Sequence, residues 1–268
     1  MIRCRRILWW QKQKGALTFT IDCINDTLLE LTRLYFVPNP KELHMRSIQV
    51  LILATLLNTT VTFGMDPQES AKSQPTLALV FEDDFEEGSG NWETTDETAW
   101  RLQKTDKNQV FGLNTRKSNY QPKHRSPFNI ALIKGLELSD FDIRFRVKSP
   151  KDTGNHRDCC VFFCHQNASQ FYYVHMGAKP DSLSGQIMIV NNAPRKAITK
   201  NTREIPWTDD WHNIRLTRNS DTGTIKVYFD DFTKPRIQIT DKTFTKGRIG
   251  IGSFDDMNDF DDVKVYGK

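Results

Sequence analysis

The chain closes on Gly247-Arg-Ile-Gly-Ile-Gly-Ser-Phe-Asp-Asp-Met-Asn-Asp-Phe-Asp-Asp-Val-Lys-Val-Tyr-Gly-Lys268. Residues 248–254 and 260–266 read as two short strands, and the acidic run between them reads as a turn. A matching phrase stands at the other end of the same region: Leu79-Val-Phe-Glu-Asp-Asp-Phe-Glu86, followed by Gly88, Gly90 and Trp92. Its apolar start suits a strand, and its glycines suit the turn that ends it.

Between these phrases, short apolar segments alternate with turn signals about every eight to twelve residues, the rhythm of a β-sandwich. Phe141-Asp-Ile-Arg-Phe-Arg-Val-Lys148 alternates strictly. Phe141, Ile143, Phe145 and Val147 fall on one face, and Asp142, Arg144, Arg146 and Lys148 fall on a wet, charged face. Residues 211–218 and 224–230 flank Asn219-Ser-Asp-Thr-Gly223 and should pair as a hairpin. Residues 159–165, 171–176 and 186–190 are nearly continuous in apolar character, as expected of central strands covered on both faces. After residue 77 there is no long helical period and no clean internal repeat. The expectation is an all-β fold of two antiparallel sheets.

The Phe-Glu-Asp-Asp-Phe opening at 81–85, with the Gly-Ser-Phe-Asp-Asp and Phe-Asp-Asp-Val phrases at 252–256 and 260–263, resembles the concanavalin A-like lectin/glucanase superfamily. The resemblance covers most of 77–268. It implies a two-sheet jelly-roll sandwich whose first and last strands are neighbours. Phe171-Tyr-Tyr-Val-His175, Gln186-Ile-Met-Ile-Val-Asn-Asn-Ala-Pro-Arg195, Ile205-Pro-Trp207 and Trp211-His212 are similar to stretches of exported bacterial jelly-roll proteins. Those proteins are grouped with laminin-G-like domains, family 16 glycoside hydrolases or the 3-keto-disaccharide hydrolase domain. Members of the superfamily bind sugars, cleave sugars or mediate adhesion, so function must be argued from the site.

Composition narrows the classes. Hydrophobic residues make up 38% and charged residues 26% of the chain, which suits a soluble globular protein. The net charge of +4 is confined to the front: residues 1–65 hold eight Lys/Arg against four Asp/Glu, and 66–268 hold twenty-nine of each. The body therefore has no bulk positive charge to favour a nucleic-acid partner.

Met45-Arg-Ser-Ile-Gln-Val-Leu-Ile-Leu-Ala-Thr-Leu-Leu-Asn-Thr-Thr-Val-Thr-Phe-Gly64 reads as a secretory signal peptide, with a positive charge, an apolar run and small residues at Thr62 and Gly64. Residues 1–44 precede it and are read as an upstream extension from an overlong gene assignment. Residues 65–76 are a polar linker, and 77–268 are the jelly-roll domain. The expected protein is exported to the periplasm, cell envelope or exterior, has no transmembrane span once mature, and is monomeric.

Several residue sets bear on chemistry. Family 16 enzymes carry paired glutamates on a mid-chain strand, and retaining hydrolysis needs two carboxyls about 5–5.5 Å apart. Glu82-Asp-Asp-Phe-Glu-Glu87 matches that motif in letters, yet it lies on the opening strand and runs into a turn; no mid-chain copy exists. Asp83, Asp84, Asp255, Asp256, Asp259, Asp261 and Asp262 gather hard oxygens from both ends of the domain. Asp84 and Asp261 are the first candidates for a structural Ca²⁺, and no other cofactor is expected.

Cys159, Cys160 and Cys164 leave an odd thiol in an exported protein. Regular alternation places Cys160 and Cys164 on one face about 13 Å apart, too far for a disulfide or a shared metal, so they read as small buried hydrophobes. On 171–176, Phe171, Tyr173 and His175 share one face, while Tyr172, Val174 and Met176 share the face that looks like core. With Arg157, His165, Asn191, Asn192 and Arg195 they form an aromatic and polar set suited to a sugar.

The leading expectation is a lectin-like protein that grips a glycan on its concave sheet. The alternatives are a glycoside-processing enzyme, with His156, Asp158 and His175 in acid–base roles, and a structural or adhesive envelope domain without a small ligand.

Overall fold

The computed structural model describes residues 8–13, 16–21, 77–104 and 107–268, with side chains described only in the latter two segments and not at His156. Residues 1–69 form a unit of their own. Within it, Leu8–Gln13 (β1) and Ala16–Ile21 (β2) pair as an antiparallel hairpin. The leader at 45–64 and the linker at 65–76 lie outside the described residues. Among the described residues, no helix is long and apolar enough to cross a membrane.

The second unit is the expected two-sheet antiparallel sandwich. Its eight-stranded sheet runs β15 (Ile237–Thr240), β14 (Thr224–Phe229), β13 (His212–Asn219), β8 (Phe141–Lys148), β17 (Asp259–Gly267), β6 (Gln109–Leu113) and β5 (Trp100–Lys104). The opening strand β3 (Ala78–Asp83) also pairs with β17. First and last strands are thus hydrogen-bonded neighbours, with Val263 opposite Asp83. The seven-stranded sheet runs β12 (Lys196–Ala197), β11 (Gln186–Asn191), β10 (Gln170–His175), β9 (Cys160–Asn167), β16 (Gly247–Ser253), β7 (Asn129–Leu138) and β4 (Trp92–Thr94). The hairpin read around 219–223 is present, with Asn219 opposite Thr224.

Alternation decides the core. Phe141, Ile143, Phe145 and Val147 of β8 are buried with Val161 and Phe163 of β9 and with Tyr172, Val174 and Met176. Phe163 stacks on Tyr172 at 5.1 Å and meets Phe141 edge-on at 5.9 Å, so aromatic contacts bridge the sheets. The opposite face of β8 carries ion pairs: Asp142 lies between Arg144 and Arg215, and Arg146 binds Asp261 and Asp262.

A second apolar cluster covers the outer face of the seven-stranded sheet. It comprises Ile130, Leu132, Cys160, Phe162, Phe171, Tyr173, Met188, Val190 and Phe254. This is the physical reason the three central strands lack polar alternation: both their faces are covered.

One expectation fails here. Cys160 and Cys164 do not share a face: Cys160 belongs to the outer cluster and Cys164 to the core between the sheets. A β-bulge is the cause. From Arg248 to Gly250 β16 advances two residues, while its partner β9 goes from His165 to Phe162, three residues. The extra residue breaks the period-two rule, and Cys164 takes a left-handed φ of 47°. Gly247 makes the close approach workable, since a Cβ there would lie 2.4 Å from the Cys164 carbonyl carbon. Cys159, Cys160 and Cys164 are free and buried, as expected of small apolar side chains.

Because Phe163 is fully buried at the sheet-to-sheet contact, Phe163→Ala should cost about 3–5 kcal/mol in denaturant unfolding. Leu102→Ala, at an exposed position, should stay within about 0.5 kcal/mol.

Candidate functional site

The outer face of the seven-stranded sheet gathers most of the anticipated residues. β9, β10 and β11 are consecutive neighbours, with His175 opposite Cys160 on one side and Gln186 on the other. Phe171, Tyr173 and His175 point outward from β10, as their spacing requires.

These side chains are not open to solvent. Tyr173 is 0% exposed and His175 6%. Phe254, just past β16, stacks on the His175 ring at 5.7 Å with 17° between planes. Phe128 meets Phe254 at 5.1 Å. The Arg195 guanidinium lies 4.0 Å over the Phe254 ring, and Arg125 also lies over that ring, at 5.3 Å. The Arg195 backbone N–H bonds to the Arg125 carbonyl at 3.0 Å, which ties the segment after β11 to the segment before β7.

Beneath this cover is a polar network. Arg195 Nη1 donates to Tyr173 Oη at 3.1 Å and lies 3.2 Å from His175 Nδ1. His175 Nδ1 faces the Leu183 carbonyl oxygen at 2.8 Å, and Nε2 faces Asp158 Oδ2 at 2.9 Å. Ser253 Oγ donates to Asp158 Oδ1 at 2.9 Å. Burial raises the Tyr173 hydroxyl well above its ordinary range, so it stays neutral and can accept from Arg195. Burial also pushes the Cys160 thiol well up, with the Asp158 charge adding to it. Without a bound cation, Cys160 is therefore a thiol and not a ready nucleophile.

The remaining candidates spread out. Asn191 and Asn192 are exposed at the far end of β11, and the Asn192 N–H bonds to the Ser169 carbonyl at 2.7 Å. His165 lies at that same end, stacked on Phe171 at 5.0 Å. Arg157 is buried elsewhere: its Nη2 binds the Ser149 carbonyl and Asp209, and it lines a cleft with Ala178, Glu204 and Trp207. His156 belongs to a 3-10 turn, Gly154–His156, and its side chain lies outside the described residues.

Among the described residues, neither calcium candidate, Asp84 or Asp261, belongs to a group of three or more clustered metal-ligating side chains. Both Asp261 oxygens are taken, by Arg146 and Asn108 on one side and the Asp262 N–H on the other. Asp84 lines a cleft with Glu82, Asp83, Glu87, Asn91 and Asp262.

Ser253, Phe254 and Gln186 were missed by sequence reading. Gln186 is buried and bridges Asp181, Thr199 and Asn201. Ser253 and Phe254 stood in plain view in the closing phrase, but nothing local marks them as neighbours of His175.

No family model matches this chain, and no curated protein matches it. Among solved structures, it is similar to a carbohydrate-binding module of family 66 from Bacillus subtilis, at 17% identity and a TM-score of 0.49 over 66% of this chain and 96% of that one. It is also similar to the winged bean acidic lectin complexed with methyl-α-D-galactose, at 13% identity and a TM-score of 0.49 over 69% and 96%. A third is domain 4 of an extracellular family 43 arabinanase from Geobacillus stearothermophilus, in complex with arabinotriose, at 11% identity and a TM-score of 0.46 over 72% and 93%. Likeness at this level identifies no ligand, so function rests on the site.

Burial, reinforced by Arg248, lowers the His165 pKa to about 4 from an ordinary value near 6.5. Below 6.5 the unfolded chain then binds more protons than the folded one, so folding stability should fall as pH drops from about 6.5 to about 4. His165→Gln should flatten that part of a plot of melting temperature against pH. An unchanged slope would contradict the assignment.

Proposed function

We propose that this chain is an exported glycan-binding protein. The sugar lies along the outer face of the seven-stranded sheet, where Arg195, Asn191 and Asn192 supply its hydrogen bonds. The observation that carries this is the state of Arg195. It is half-buried and held from below by Tyr173 and by stacking on Phe254. A guanidinium fixed in that way is pre-organised for an acceptor, and a pre-organised donor loses less entropy on binding. Tyr173 and His175 act as positioning residues beneath it and do not form the sugar platform themselves. The leader at 45–64 supports the exported location.

One observation favours a second reading, an adhesive or structural envelope domain. The outer face is filled by Phe162, Phe171, Met188, Val190 and Phe254, all buried against one another. The enzyme reading has less behind it, since His175 is buried and both its ring nitrogens already face protein partners.

A thermal-shift screen of the full chain against oligosaccharides separates these readings. A ligand at a hundred times its Kd adds about 2.7 kcal/mol of apparent stability. The glycan reading expects a sugar-specific rise in the parent and at least a tenfold weaker affinity in Arg195→Ala with the fold intact. No rise with any oligosaccharide would leave the adhesive reading.

A further inference from the structure

Among the described residues, Asp158, Cys160 and His175 form a group of three metal-ligating side chains whose ligand atoms lie within 4.8 Å of one another, all buried. The hydrogen-bond pattern around the imidazole adds a second observation. Nδ1 lies 2.8 Å from the Leu183 carbonyl, which only accepts, and 3.2 Å from Arg195 Nη1, which only donates; the carbonyl is the nearer partner. Nε2 faces a carboxylate oxygen 2.9 Å away. A proton fills that contact in the metal-free protein, and a cation would displace it.

The surroundings of both groups match what surrounds metal ligands. A ligating histidine ordinarily donates its other N–H to a backbone carbonyl or carboxylate, and a ligating carboxylate is itself hydrogen-bonded. Here His175 Nδ1 is turned to Leu183, and Asp158 Oδ1 accepts from Ser253 Oγ. Cys160 stands directly opposite His175 across the β9–β10 ladder, so the backbone fixes the pair.

We propose that Asp158 Oδ2, His175 Nε2 and Cys160 Sγ bind a divalent cation of the zinc class. One sulfur, one imidazole and one carboxylate suit zinc, which takes N, S and O ligands at about 2.0–2.3 Å in tetrahedral geometry. They do not suit calcium, which takes six to eight oxygens. A carboxylate and a thiolate together neutralise the ion, so the nearby Arg195 meets no net positive charge. On binding, the Cys160 thiol gives its proton to solvent as the sulfur–metal bond forms, so affinity rises with pH. A tetrahedral set spans about 3.3–3.8 Å between ligand atoms, so His175 Nε2 and Asp158 Oδ2, 2.9 Å apart, open by about 0.4 Å while Cys160 Sγ, within 4.8 Å of both, closes by about 1 Å.

The test uses the full chain after dialysis against EDTA, with ZnCl₂, CoCl₂ and CaCl₂ as the probes. The expected result is one Zn²⁺ per chain by titration calorimetry, no competition from Ca²⁺, and a near-ultraviolet thiolate-to-cobalt charge-transfer band with Co²⁺. Cys160→Ser should abolish that band and weaken zinc at least tenfold. Cys164→Ser and a Cys4→Ser/Cys23→Ser double variant should keep both. Absence of the cobalt band in the unmodified chain, or equal zinc affinity in parent and Cys160→Ser, would overturn the proposal; the first decides even where Cys160→Ser fails to fold. Neither readout depends on a sugar ligand.

Discussion

A buried carboxylate must be paired or hydrogen-bonded, because removing it from water without partners costs far more than a fold can spare. Asp158 satisfies that need through several elements at once. Its side chain meets His175 at the end of β10 and Ser253 at the end of β16. Its backbone N–H reaches Asp256, and its carbonyl accepts from Asn258 at 2.9 Å. The Asn258 carbonyl in turn takes the N–H of Leu113 in the eight-stranded sheet. One residue just ahead of β9 therefore links the ends of both sheets and fixes where the His175 ring lies. Arg195 and Phe254 are placed on that ring.

Much of the architecture was legible because strand alternation is a local signal. Phe141 to Lys148 revealed a core face and a charged face, and Asn219 to Gly223 revealed a hairpin. The two acidic phrases at the ends of the domain proved to flank paired strands. The outward direction of Tyr173 and His175 was also readable from spacing alone. The closure above them was not. Phe254 lies 79 positions from His175 in the chain, and no local pattern records that such a ring will cover that face. The bulge at Cys164 escaped for a different reason. It depends on the pairing of β9 with β16 and on the bare backbone of Gly247, which only the assembled sheet shows. That single inserted residue is also why arithmetic on regular alternation misplaced Cys164 while Cys160 remained beside His175.

The two outer faces of the sandwich divide the molecule's polar chemistry. On the eight-stranded sheet, a cleft of about 810 Å³ includes Asp142, Arg215, Thr217, Lys226 and Tyr228. Its charges are matched internally: Asp142 is shared by Arg144 and Arg215, and Arg215 lies over the Tyr228 ring. The seven-stranded face is covered by an apolar cluster, and on it Arg195 is stacked over Phe254 and bonded to Tyr173; its buried Nε–H lacks a partner, as does that of Arg218 in the first cleft. Solvated ion-pair ladders on a sheet surface are ordinary and contribute little, so the ligand reading rests on Arg195, held over Phe254 above the buried His175 network.

The central claim is that ligand recognition belongs to the seven-stranded face. The most direct measurement is a ¹H–¹⁵N spectrum of the arginine Nε–H groups, recorded while an oligosaccharide that stabilises the protein is added. The account predicts that the Arg195 Nε–H resonance moves and Arg215 stays in place. Movement of Arg215 with Arg195 unchanged would put the ligand on the opposite face and contradict it.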